Sequence, residues 1–139
     1  MINVDELKYF RNLKDIEDSR GNIIVMTQKD IPFIIRRVFV IFHQNGLRGN
    51  HAHKITHQFL VCLKGSIKAK IINGYTESYF ILNDKQQSLY VPPMTWLELS
   101  DIDAGSIIMV LASEDYEEND YISNFDEFAK LLKGEDNES

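Results

Sequence analysis

Residues 48–65, RGNHAHKITHQFLVCLKG, place two histidines two positions apart and follow them with a glutamine, an apolar run and a glycine. In a β-strand, side chains at i and i+2 point to the same face with Cα atoms about 6.5–7 Å apart, so His51 and His53 aim at one spot. Gln58 follows five residues after His53, on a neighbouring strand or a continuation of the first, and Gly65 can close that strand with a turn. Three interpretations of the two imidazoles are open at this point: metal ligands, an acid–base pair, or ordinary structural side chains.

Short apolar runs separated by turn residues recur along the chain. They are IIVM (23–26), RVFVIF (37–42), HQFLVCL (57–63), SIKAKII (66–72), ESYFIL (77–82), SLYV (88–91) and SIIMVLA (106–112). Strands at intervals of roughly ten residues favour an all-β sandwich or barrel over βαβ units. Asn73-Gly74 is the sharpest hairpin signal. Alternation in SIKAKII predicts that Ile67, Ala69 and Ile71 share one face.

The segment NFDEFAKLLKG (124–134) has helical periodicity instead. Ser123 or Asn124 can cap the start of this helix, and Gly134 can end it. The acidic residues 135–139 are predicted to form a disordered tail.

Composition indicates one domain, predicted to span residues 1–134, because the chain has 139 residues, 44% of them hydrophobic, and no linker or internal repeat. The net charge is −6 and no basic run exceeds Arg36-Arg37, which argues against binding to a nucleic-acid backbone. Neither a signal peptide nor an apolar stretch of the ~20 residues that span a membrane is visible. A cytoplasmic protein with no membrane partner is expected.

The order H-x-H-x4-Q-x6-G, from His51 to Gly65, resembles the first motif of the cupin superfamily, in which glutamate usually stands at the Gln58 position. The resemblance implies a jelly roll, or double-stranded β-helix, which agrees with the all-β pattern. The second cupin motif, typically P-x-G-x-x-H, aligns with PPMTWLE at 92–98 and has Leu97 in place of the histidine.

Two of the usual cupin metal ligands are therefore replaced. Leu97 cannot bind a metal, and the neutral Gln58 is a poorer ligand than glutamate. A metal site would need His57 or His43 as a substitute. We expect metal-free chemistry with no cofactor.

Several further stretches narrow the resemblance. In chain order they are DSRG (18–21), RVF (37–39), RGNHAH (48–53), Gln58, LYVPP (89–93), WLE (96–98) and YEENDYI (116–122). Together they resemble the WxcM/FdtA-like sugar 3,4-ketoisomerases, cupins that act on dTDP-4-keto-6-deoxyglucose. The YEENDYI segment is expected to support the fold more than the chemistry.

The resemblance implies an isomerase that moves a ketone from C4 to C3 of the hexose through an enediol. His51 corresponds to the base that removes the C3 proton, and His53 is expected to move protons between the oxygens or to C4. Arg48 offers a planar donor fork suited to a diphosphate. Gln58 is expected to bind a sugar hydroxyl or orient a histidine.

Other matched positions are expected near the substrate. Arg20 and Arg37 would lie near the sugar or phosphates, although surface charges are an equally good interpretation. Tyr90 and Trp96 would line the pocket, although strand aromatics are usually core. In the family, the residue after the tryptophan and the DSRG arginine are implicated in the face on which C4 is reprotonated. Leu97 is neither the histidine nor the arginine expected there, and Arg20 leans towards a galacto-configured product.

Such a product would supply a 3-amino-3,6-dideoxyhexose of a surface polysaccharide such as lipopolysaccharide. The family also implies a homodimer that exchanges amino-terminal strands. Three alternatives stay open: a dTDP-4-keto-6-deoxyhexose 3,5-epimerase, a metal-dependent cupin such as a dioxygenase, and a sugar-binding cupin without activity.

Overall fold

Two five-stranded antiparallel sheets pack face to face in the computed structural model, which describes residues 8–74 and 76–137. The strands of the first half are β1 (Phe10–Asn12), β2 (Lys14–Asp18), β3 (Gly21–Val25), β4 (Arg37–Phe42), β5 (Arg48–His53) and β6 (Gln58–Lys64). Those of the second half are β7 (Ile67–Asn73), β8 (Thr76–Leu82), β9 (Gln87–Val91), β10 (Trp96–Ser100), β11 (Ile107–Ala112) and β12 (Tyr121–Ile122).

The first sheet has the order β1-β9-β6-β11-β4, and the second has the order β12-β5-β10-β7-β8. Neighbours in these sheets are mostly far apart in sequence, as a jelly roll requires. The predicted all-β cupin-type fold is therefore confirmed. The hairpin predicted at Asn73-Gly74 joins β7 to β8, with Asn73 paired to Thr76.

Alternation along β7 fills the space between the sheets. Ile67, Ala69 and Ile71 are at most 1% exposed and belong to the main core, as the SIKAKII pattern predicts. Leu60 and Leu89 join them from the opposite sheet. The two sheets consequently share one apolar interior.

Helix α1 (Phe125–Asn137) follows the last strand. The Glu127 N–H donates to Asn124 Oδ1 at 3.0 Å, so Asn124 is the N-cap. The predicted end at Gly134 is wrong, because Gly134 lacks the positive φ of a C-cap glycine and the helix continues to Asn137. The prediction of a disordered tail over 135–139 stays a prediction: residues 135–137 continue the helix, and 138–139 lie outside the described residues. Within the described chain, no helix is long and apolar enough to cross a membrane.

Candidate active site

A cavity of about 300 Å³ opens between the two sheets. Its polar lining consists of Arg48, His51, Gln58 and Tyr121, and its apolar walls include Phe39 and Leu97. Gln58 comes from β6 and Leu97 from β10, so the two sheets each contribute to the lining. Of the nine side chains that the sequence predicts to be functional, four line the cavity: Arg48, His51, Gln58 and Leu97.

A β-bulge positions the first histidine. Gly49 and Asn50 have positive φ values of 81° and 58°. The pairing register between β5 and β10 shifts at the same point, with Leu97 opposite His51 and Glu98 opposite Gly49. A Cβ at Gly49 would lie 2.9 Å from the Leu97 carbonyl oxygen, so the position requires glycine for space as well as for φ.

The bulge also fixes the tautomer of His51. His51 Nδ1 lies 3.0 Å from the Gly49 carbonyl oxygen, which can only accept a hydrogen bond. The neutral ring therefore carries its proton on Nδ1 and leaves a lone pair on Nε2. Burial lowers the pKa of His51 below its ordinary value of 6.5, and the Gly49 hydrogen bond offsets this only in part. A neutral imidazole with a free Nε2 is suited to accept a proton near pH 7.

A carboxylate holds the second histidine. His53 is 4% exposed, and its Nδ1–H donates to Asp120 Oδ2 at 2.9 Å. His53 Nε2 is buried and has no hydrogen-bond partner among the described residues. Burial lowers the pKa of His53, against the opposing effect of Asp120, and the nearby charges of His51 and Arg37 lower it further. His53 thus also presents an unprotonated Nε2.

Asp120 is itself held by three donors. Besides His53, it accepts hydrogen bonds from the Ile55 N–H at 2.7 Å and from the Thr56 hydroxyl. Burial opposes ionisation of Asp120, but these donors together lower its pKa below the ordinary value. The carboxylate is therefore charged and stabilises the His53 tautomer.

Tyr121 packs against the two histidines. Its ring centroid lies 5.2 Å from that of His51 and 4.4 Å from that of His53, and the histidine rings are 5.0 Å apart. Asp120 and Tyr121 both belong to YEENDYI, so this segment, expected to support the fold more than the chemistry, contacts both histidines. The DYI pattern is visible in the sequence, but the partner of its aspartate, His53, lies 67 residues away.

Comparison with known proteins identifies the family. The model of the family described as "FdtA: WxcM-like, C-terminal" matches residues 6–133. This chain belongs to the FdtA family.

Proteins of named activity resemble the chain over most of its length. A TDP-4-oxo-6-deoxy-alpha-D-glucose-3,4-oxoisomerase from Aneurinibacillus thermoaerophilus is 42% identical over 124 residues, which cover 87% of this chain and 89% of the relative. The sugar 3,4-ketoisomerase QdtA from Thermoanaerobacterium thermosaccharolyticum, solved in complex with TDP, is 39% identical with a TM-score of 0.85, and the match covers 91% of this chain and 94% of that one.

A histidine-to-asparagine variant of QdtA has been solved in complex with TDP-4-keto-6-deoxyglucose. It is 38% identical to this chain with a TM-score of 0.84, and the match covers 90% of this chain and 93% of that one. With ketoisomerases as its relatives and structural neighbours, this FdtA-family chain is an isomerase.

Two predicted lining residues of this FdtA-family chain lie elsewhere. In β9, Leu89 and Val91 face the main core, so Tyr90 points to the outer face of its sheet, where its hydroxyl lies 2.6 Å from His57 Nδ1. In β10, Leu97 faces the cavity, so Trp96 faces away from it. The prediction that Tyr90 and Trp96 line the pocket is wrong, because the alternation of each strand points them outward.

The side chain of Trp96 instead packs beneath helix α1. Its ring centroid lies 5.3 Å from that of Phe125 and 5.6 Å from that of Phe128. Trp96 Nε1–H donates to Glu98 Oε1 at 3.1 Å. Trp96 therefore anchors the helix to the sheet that carries the histidines.

The three predicted arginines occupy different surroundings. Arg48 lines the cavity and donates its Nε–H to His43 Nδ1 at 3.1 Å. Arg37 lies over the rings of Phe39 and Tyr116, close enough for its charge to lower the pKa of His53. Arg20 lies on the turn between β2 and β3, where its side chain is 87% exposed and pairs with Asp18 at 2.8 Å. Arg20 is not brought to the cavity of its own chain.

Metal ligands are sparse at this site. Over residues 8–74 and 76–137, no group of three or more His, Cys, Asp or Glu side chains is arranged to hold a metal ion. Leu97 and Gln58 lie in the cavity at positions where cupins usually place ligands. Metal-free chemistry stays a prediction, tested below.

Proposed function

We propose that the protein is a TDP-sugar 3,4-ketoisomerase that converts TDP-4-keto-6-deoxyglucose into a TDP-3-keto-6-deoxyhexose. The observation that carries this proposal is the pair of adjacent histidines, each with Nδ1–H committed to an acceptor and Nε2 unprotonated. The substrates named for the two relatives support the choice of nucleotide sugar.

The first step uses His51 as the base. Its Nε2 removes the proton from C3, the electron pair of that bond forms the C3–C4 double bond, and the carbonyl electrons move to O4. The negative charge on O4 is stabilised by donors that line the cavity, for which the Gln58 amide and the Tyr121 hydroxyl are the candidates. His51 returns this proton from Nε2 to O4, which gives the neutral enediol and regenerates the base.

The second step uses His53 to complete the transfer. O3 loses its proton, its electron pair forms the C3 carbonyl, and the double-bond electrons take up a proton at C4. His53 Nε2 is the group that exchanges these protons, because its pKa is lowered and Asp120 stabilises the ring whenever it becomes charged. Oxidation levels at C3 and C4 only exchange, so the balance requires no redox cofactor.

Arg48 is the proposed diphosphate ligand. Its side chain is exposed at the cavity, and within the described residues only its Nε donates a hydrogen bond to protein. The terminal Nη groups are thus available for bidentate pairing with phosphate oxygens. Arg37 is kept as a secondary candidate through its charge near His53.

The configuration of the product at C4 depends on the residues that surround the base, among them its neighbour on β10. Leu97 is 3% exposed, pairs with His51 across β5 and β10, and offers neither a proton nor a hydrogen bond. Reprotonation therefore relies on groups of the β5 side, and Arg20 of the DSRG stretch favours the galacto product slightly. We propose that this product serves cytoplasmic synthesis of a 3-amino-3,6-dideoxyhexose for a surface polysaccharide.

A homodimer with exchanged amino-terminal strands is proposed for the active form. Within the described residues, the hairpin β2–β3 pairs with no other strand and exposes 61% of Ile23. The edge strand β4 exposes Val38 by 54% and Phe42 by 71%, an apolar edge that a second copy would cover. Exchange would carry Arg20 towards the partner's cavity. Light scattering should give twice the chain mass for the wild type, and a monomer would contradict the dimer.

Product analysis by NMR tests the proposed reaction. Incubation with TDP-4-keto-6-deoxyglucose should move the ketone carbon signal from C4 to C3, and the coupling constants at C4 report galacto or gluco configuration. A product that keeps its ketone at C4 but is inverted at C3 and C5 would instead identify an epimerase. Binding of the sugar without any turnover would identify a non-catalytic sugar-binding protein.

A further inference from the structure

The connection between β4 and β5 contains a histidine that the proposed chemistry does not use. His43 is 2% exposed and follows the last residue of β4, and Arg48 is the first residue of β5. The Arg48 Nε–H donates to His43 Nδ1 at 3.1 Å. This bond joins the two sheets at the point where Arg48 enters the cavity lining.

The backbone of His43 is fixed on two sides. The His43 N–H donates to the Ser106 carbonyl oxygen at 2.9 Å, and the His43 carbonyl oxygen accepts from the Gly105 N–H at 2.9 Å. A buried ring on a backbone held in this way has little freedom to follow a mobile arginine. The His43 imidazole is consequently fixed in place, and its hydrogen bond orients the Arg48 guanidinium.

The hydrogen bond also defines the protonation state of His43. A guanidinium is always a donor, so Nδ1 must be unprotonated and the ring must be the neutral Nε2–H tautomer. A neutral acceptor orients Arg48 without cancelling its positive charge, whereas a carboxylate in this place would cancel it. Use of Nε as the donor leaves both Nη groups of Arg48 for a ligand.

We propose that His43 is a positioning residue that holds the Arg48 guanidinium in the orientation that pairs with the substrate diphosphate, an inference that rests on the proposed function. His43 acts through Arg48 and does not touch the sugar. Its loss should therefore weaken binding of the nucleotide portion and leave the proton-transfer steps unchanged.

A set of variants at the two positions tests this role. His43→Leu removes the acceptor, and His43→Asn keeps an oxygen close to the position of Nδ1. His57→Leu is the matched control, because His57 is a half-buried imidazole that bonds to Tyr90 on the outer face of the sheet. Calorimetric Kd values for TDP are measured for each variant, for Arg48→Ala and for the double variant that combines His43→Leu with Arg48→Ala.

His43→Leu should raise the Kd for TDP about tenfold, the scale of one charge-assisted hydrogen bond, and should raise KM with little change in kcat. His43→Asn and the control should stay within about threefold of the wild type. In the Arg48→Ala background, His43→Leu should add nothing further. An undiminished effect in that background would overturn the inference, because His43 would then act independently of Arg48.

Two further results separate the possible failures. Wild-type protein that does not bind TDP would contradict the proposed function and this inference together, whereas TDP binding that is unaffected by His43→Leu would contradict the inference alone. If His43→Leu does not fold, the ¹⁵N spectrum of the wild-type imidazoles decides. An unprotonated Nδ1 at His43 whose resonance moves in Arg48→Ala supports the inference, and a protonated Nδ1 overturns it.

Discussion

Replacement of Asp120 by asparagine should impair stability and catalysis for one and the same reason. Asp120 is 6% exposed and accepts hydrogen bonds from Ile55, Thr56 and His53. In Asp120→Asn, one oxygen remains for the Ile55 N–H, but an NH₂ group replaces the oxygen that faces His53 and Thr56. The threonine hydroxyl can rotate to accept, whereas His53 must move its proton from Nδ1 to Nε2.

The expected magnitudes follow from this exchange. Hydrogen bonds to a charged acceptor contribute about 1.5–3 kcal/mol each. All three lose the charge of the carboxylate, so we expect the free energy of unfolding to fall by about 2–3 kcal/mol and Tm by about 6–12 °C. His53 Nε2 becomes a donor and can no longer accept a proton, so kcat should fall by about 10²- to 10⁴-fold, the usual contribution of a general acid–base.

The assay combines thermal unfolding by circular dichroism with NMR turnover of the 4-keto sugar. Asp115→Asn is the matched control, because Asp115 is an exposed acid five residues earlier and should leave both quantities unchanged. The ¹⁵N shifts of His53 in Asp120→Asn should report the Nε2–H tautomer. A variant that keeps kcat within about threefold of the wild type would refute the role of Asp120 in setting the tautomer.

Three further outcomes are expected. Burial lowers the pKa values of His51 and His53, so at a pH below their ordinary pKa of 6.5 the unfolded chain binds more protons than the folded chain. The free energy of unfolding in urea should therefore fall from pH 7.5 to pH 5.5, and an equal or higher value at pH 5.5 would contradict this. Gly49→Ala should cost about 1–3 kcal/mol in the same assay through its φ of 81° and the close Leu97 oxygen, and wild-type stability would argue against the bulge. Chelator-treated protein should keep full activity, and activity lost to the chelator but restored by iron or zinc would revive a metal-dependent cupin.

The sequence predicts those parts of the site that depend on local periodicity. His51 and His53 share a face because they are two residues apart on one strand, and strand geometry alone requires this. The spacing predicts Gln58 on a neighbouring strand or continuation, and Gln58 in fact lines the same cavity as His51 from the opposite sheet. The cupin spacing therefore corresponds to two residues on opposite walls of one cavity.

The alternation of apolar and polar residues does not predict side-chain orientation where a strand is buried on both faces. Phe59 and Leu60 are neighbours in β6 and are both at most 1% exposed, so hydrophobicity does not reveal which face meets the cavity. The same ambiguity applies to Trp96 and Leu97, both 3% exposed. Only the tertiary structure shows that Trp96 lies under α1 and Leu97 in the cavity. The strand β10 itself is not among the apolar runs from which the sequence predicts strands.

Partners distant in sequence are also invisible to local patterns. Asp120 reaches His53 across 67 positions, and nothing local to either residue indicates the pairing. The His43–Arg48 bond spans only five positions, but it depends on the path of the β4–β5 connection. The first contact sets the tautomer of His53 on which the proposed chemistry depends, and the second orients Arg48 in the proposed role of His43.

Hydrogen exchange at C3 of the sugar tests most directly whether His51 is the base. TDP-4-keto-6-deoxyglucose is incubated in D₂O with wild-type protein or with His51→Asn, and deuterium at C3 and C4 is followed by NMR. The wild type should exchange the C3 proton and deliver deuterium to C4 of the 3-keto product. His51→Asn should still bind TDP and unfold cooperatively but show no exchange at C3. Exchange at the wild-type rate in that variant would show that another group removes the proton.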